Sequence, residues 1–134
     1  MNFDSIREGL ALTITNAVPG LKVHKYVPES VTPPCAFITL EGFTYGDTFG
    51  RDTSCELVVT VVVPGTMQVE AQRALEEYAE DSGIKSIYAA IEADPTLDGS
   101  VAHAVVTGGD APGQVQFGES TYPALPFRVD VIVS

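Results

Sequence analysis

The chain has 134 residues, 45% of them hydrophobic and 19% charged, which suits one globular domain able to bury a core without metals or disulfides. Seven Lys and Arg stand against 18 Asp and Glu, a net charge of −11, and the cations are scattered, which argues against a grip on a nucleic-acid backbone. No apolar run approaches the ~20 residues of a membrane span, and the opening Met-Asn-Phe-Asp-Ser lacks the basic and apolar regions of a signal peptide, so a chain made and kept in the cytoplasm is expected.

Phe3, Ile6, Leu10, Ile14 and Ala17 recur every three to four residues and predict one apolar face of a helix that ends at Pro19-Gly20. Its cap is Asn2 or Asp4, or a box formed by Ser5 and Glu8. Leu21 to Tyr26 alternates as a half-exposed strand, and Pro28 to Pro34 is a loop. Cys35 to Phe43 reads as a strand with Ala36, Ile38 and Leu40 on one face. The Gly- and Asp-rich stretch Phe43 to Thr53 predicts a long hairpin returning through Thr53–Val63, whose Cys55, Leu57, Val59, Val61 and Val63 face is wholly apolar.

Gln68 to Glu80 predicts an amphipathic helix with Met67, Ala71, Ala74, Leu75 and Tyr78 inward and Glu70, Arg73, Glu77 and Glu80 in water. Ile84, Ile87, Tyr88 and Ile91 predict the buried face of a second, two-turn helix stopping before Asp94-Pro95. Burial of four or five such side chains at roughly 1.5–3 kcal/mol each fixes these helices on a sheet. Leu97-Asp98-Gly99 is a turn, Val101–Thr107 a strand, Gly108–Pro123 a loop with a brief strand at Val115–Phe117, and Leu125–Val133 a final alternating strand. The expected fold is one α+β domain over residues 1–134, a mixed, mainly antiparallel sheet packed by about three helices.

No group is arranged for catalysis, and neither a cofactor nor a metal is expected. The cysteines, Cys35 and Cys55, match no zinc spacing and read as buried free thiols. His24 and His103 read as strand-face residues with no ligand at metal spacing. The cluster Gly108-Gly109-Asp110-Ala111-Pro112-Gly113 lacks the Lys-Ser/Thr ending of a phosphate loop and is a turn or hairpin. Among Glu76, Glu77, Glu80 and Asp81, positions one apart on a helix point in different directions, so the group reads as a solvated face or a partner-repelling rim. The loop Phe43–Thr53 stands apart: its aromatics either fold back onto the sheet, or Tyr45, Phe49 and Arg51 dock on another chain, since aromatic and Arg side chains anchor interfaces. Phe117 and Tyr122 allow the same two readings.

The whole chain resembles the tail terminator proteins of long-tailed bacteriophages. The features that carry the resemblance are the short helix ending in Pro19-Gly20, the PPCAFITL strand after a proline loop and the YGDTFGRDTSCELVVTVVV hairpin, then the ALEEYAEDSGIKSIYAAIEADPTLDGSV segment and the closing FRVDVIV strand. The resemblance implies a ring, a homohexamer, that caps the head-proximal end of the tail tube, stops its polymerisation and offers a surface for joining the head. The implied partners are other copies of the chain, the tube protein and a head–neck connector protein, with no membrane and with DNA only in passage through the channel. The implied location is the virion tail, after assembly in the host cytoplasm. Within such a ring, carboxylates on Glu41, Asp47, Asp52 or Glu56 facing the lumen would repel passing DNA. Two other readings stay open: a connector or neck protein of the same virions, and a cellular ligand-binding α+β module lidded by the 108–123 loop.

Overall fold

A computed structural model describes residues 2–46 and 52–133. In chain order these form α1 (Phe3–Ala17), β1 (Lys22–His24), β2 (Cys35–Thr44), β3 (Ser54–Val62), α2 (Val69–Ala79), α3 (Ile87–Ala93), β4 (His103–Gly109), β5 (Gly113–Phe117) and β6 (Ser120–Ile132). The fold is α+β: one six-stranded mixed sheet in the order β1-β2-β3-β6-β4, with β5 paired to the first half of β6. Every pairing is antiparallel except the short parallel ladder of β1 on β2.

Helix α1 begins where Asn2 accepts a hydrogen bond from the Ser5 amide at 3.2 Å, satisfying one donor that the first turn leaves free. Ile6, Leu10 and Ile14 are buried on its sheet-facing stripe, whereas Ala17, at the end of that stripe, is exposed. Gly9 lies against the turn after α3, so close that a β-carbon there would stand 2.4 Å from the Leu97 carbonyl oxygen and closer still to Ser100.

Alternation sorts the strands into two faces. Ala36 and Ile38 of β2, Cys55 to Val61 at odd positions of β3, and Leu125 to Val131 at odd positions of β6 join Leu75, Tyr78, Ile87 and Ile91 in the main core. The three helices cover this face. Ile84 and Tyr88 are corrections to the expected apolar stripe: both are exposed, Ile84 to 73%, and Ile84 precedes α3. The helix starts instead at Ser86, whose hydroxyl accepts from the Ala89 amide at 2.9 Å and donates to the Glu80 carbonyl. Three-to-four spacing ran on into the turn that Gly83, at φ +105°, makes after α2.

The other face carries a smaller cluster of Cys35, Phe37, Val62 and Ala124, covered by Val31 and by Val115, Phe117 and Tyr122 of the β5–β6 hairpin. This hairpin replaces most of the expected 108–123 loop. Gln114 and Gln116 alternate with Val115 and Phe117, a pattern that Gly108, Gly109 and Gly113 hid among turn signals. The strand expected over Leu21–Tyr26 shortens to Lys22–His24. Arg7 ends that ladder: its Nη1 donates to the Ile38 carbonyl at 2.8 Å and to the Lys25 carbonyl, and its guanidinium lies 4.2 Å from the Tyr26 ring centroid.

Candidate interface

Past β1 and the Arg7 contact to Ile38, nothing among the described residues covers the outer side of β2. Alternate residues of an antiparallel strand turn their amides and carbonyls to opposite neighbours. Val133 donates to Thr53 and Val63 to Pro123, so odd-numbered β3 residues bond to β6 and even-numbered ones to β2. Thr39, Gly42 and Thr44, opposite Val58, Glu56 and Ser54, therefore face inward, and Leu40 and Phe43 turn their backbone groups outward. A register shift between Leu40 and Gly42, at Glu41, keeps both on that side.

An aromatic row borders the open edge. Phe3 and Phe43 meet edge to face with ring centroids 5.6 Å apart, and Phe43 and Tyr45 with centroids 5.4 Å apart. Cover falls along the row: Phe3 is half-buried, Phe43 49% exposed and Tyr45 69% exposed. Because Phe43 stands opposite Cys55, this row is on the helix-covered face, past the N-terminus of α1. Phe3 and Phe43 were absent from the expected interface set. Phe43 shares a loop with Tyr45 in the sequence reading but is not a docking residue there, and Phe3 fits a helix stripe, so only the fold brings Phe3 to this row.

Phe49, Arg51 and Asp47 lie outside the described residues. Phe117 and Tyr122 take the packing alternative: both are half-buried in the second cluster, and Phe117 sits edge to face on Phe37 at 5.8 Å. Glu41 and Asp52 are exposed and Glu56 is half-buried. Glu56 stands opposite Asp130 of β6, a like-charged cross-strand pair on the face away from the helices, in a groove that also takes in His103 and Ile132. Asp130 was not among the expected acids because on the sequence it is only the polar beat of a closing strand. Two strands away from β2, Arg128 pairs with Asp110 at 2.8 Å.

The groups that could do chemistry are dispersed. His24 and His103 sit on opposite edge strands, and burial, with Lys22 beside it, lowers the pKa of His24. Cys35 and Cys55 are buried free thiols on opposite faces of the sheet, and burial pushes both thiols up from 9.0. Among the described residues no group of three or more His, Cys, Asp or Glu could hold a metal ion, and no helix is long and apolar enough to cross a membrane. No protein-family model matches the chain, and no curated protein matches it significantly.

Proposed function

We propose that the chain is a phage tail terminator, a subunit of a ring that seats on the head-proximal end of a tail tube and halts tube growth.

 

The observation that carries this reading is the uncovered β2 edge with its row of Phe3, Phe43 and Tyr45. It is a surface built for contact with protein, in a chain whose titratable groups are spread over separate strands. The resemblance along the whole chain supplies the kind of partner: copies of itself, a tube below and a connector above. Growth stops because the ring accepts the tube on one side and offers no copy of the tube's growing surface on the other. The carboxylates of Glu56 and Asp130 give the face away from the helices a negative character, exposed Glu41 and Asp52 add to the charge of the surface, and in the ring this face lines the DNA channel.

Particles assembled without this chain test the proposal. Tubes of uncontrolled length without heads are expected; tubes of normal length that fail to join heads would assign it to the connector instead.

A further inference from the structure

We infer that copies of this chain join edge to edge, the open edge of β2 in one copy pairing with the β4 edge of the next, so that the sheet runs on from subunit to subunit. This rests on the ring reading above and names the contact that would close it.

Among the described residues, both ends of the sheet leave backbone groups without a strand partner. At one end, Leu40 and Phe43 turn their backbone groups outward past the end of β1. At the other, β4 residues opposite odd-numbered β6 residues face away from β6. Ala104 is one of these, but its amide already donates to the Pro95 carbonyl at 2.7 Å, so the edge left for a neighbour begins beyond it. Val106, opposite Val129, and Gly109, opposite Phe127, are the next in line. Neither His103–Gly109 nor Thr39–Thr44 contains the Lys or Pro that commonly blunts an exposed edge.

Strand direction fits the join. Three successive antiparallel pairings separate β2 from β4, so the two edges run in opposite senses. A neighbour continuing the sheet in the same sense therefore meets β2 antiparallel, the pairing this sheet uses nearly throughout.

Shape and charge select β4 as the occupant over a second β2. Beside β4, on the helix-covered face, is a cleft of about 250 Å³ lined by Tyr88, Glu92, Pro95, Ala104 and Val106. Phe43 and Tyr45 project on the matching face of β2, so the aromatic row of one copy enters the cleft of the next. Pairing β2 with β2 about a twofold axis would instead bring two Glu41 residues together in a chain already at −11. The segment His103–Gly109 contains no Asp or Glu. Because the two edges differ, the contact is head to tail, and such a contact closes into a ring when the rotation between copies closes and runs on as a filament when it does not.

With Phe43 opposite Val106 of the neighbour, Thr44 faces Val105. Both are exposed, and they form a non-hydrogen-bonded pair of the new ladder, the close kind that a disulfide spans. Mild oxidation of a concentrated Thr44→Cys/Val105→Cys double variant should give a ladder of covalent oligomers on a non-reducing gel, whereas each single variant stays largely uncrosslinked. Phe43→Pro removes an outward amide and an anchor while sparing the bonds to β3, so it should keep its far-UV spectrum and lose assembly at least tenfold. Efficient dimers from Glu41→Cys alone would overturn the inference in favour of a twofold β2 contact. Rings that form by light scattering without crosslinking the double variant would overturn it while leaving the ring reading standing. A chain that stays monomeric at high concentration and on tail tubes alike would remove both.

Discussion

Gly9 and Asp94 hold the same corner of the molecule from two sides. Gly9 lets α1 approach the turn at Leu97–Ser100, and a methyl group there meets the Leu97 carbonyl oxygen as well as the Ser100 side chain; the hydroxyl could swing away, the backbone could not. Gly9→Ala should therefore cost about 1–3 kcal/mol in urea unfolding, although alanine is the better helix former. Asp94 accepts from the Thr13 hydroxyl at 3.1 Å, the Asp98 amide at 3.0 Å and the Thr96 hydroxyl at 3.3 Å, and so pins a turn in which Leu97 and Asp98 have φ of 50° and 59°. Asp94→Ala should lose about 1–3 kcal/mol, and Asp94→Asn, which keeps an acceptor, less. Thermal melts of the two variants check the order. The thiols make a pH prediction. Burial holds Cys35 and Cys55 protonated in the folded chain above their ordinary 9.0, so their contribution is full below that value and is lost as pH rises through the folded values. Stability should fall on the alkaline side of pH 9.0, and replacing both cysteines with Ala or Val should flatten that limb.

At the scale of elements the two hairpins divide their work. The β5–β6 hairpin packs: Phe37 is 7% exposed beneath Phe117, and Phe37→Ala should cost about 3–5 kcal/mol by equilibrium unfolding. The end of the β2–β3 hairpin displays. Tyr45→Ala, at a 69% exposed position, should leave the melting temperature nearly unchanged and weaken assembly. Periodicity in the sequence disclosed α1, α2, β2, β3 and the closing strand because each buries one regular face. It misplaced the start of α3, where a hydroxyl cap outweighed Ile84, and it gave β5 only as a brief strand at Val115–Phe117 without the hairpin to β6, where glycines read as turn signals. Tyr45 was legible as an exposed aromatic, whereas the open edge beside it was not. That edge exists because β1 stops after three residues, a matter of pairing between distant segments that no local pattern carries.

For the whole molecule, charge sets the conditions for association. Subunits at −11 repel one another, so joining them by short edges and aromatic anchors should be favoured as salt shortens the screening length from ~30 Å at 0.01 M to ~8 Å at 0.15 M. Sedimentation or light scattering across that range should show larger assemblies at the higher ionic strength; the reverse would mean that opposite charges bring the copies together. The central claim is that the chain ends tube growth by fitting against a tube and its own copies. Electron microscopy of tails made in its absence measures this most directly. The account predicts tubes well beyond the normal length and without heads, and complete particles with tails of ordinary length would contradict it.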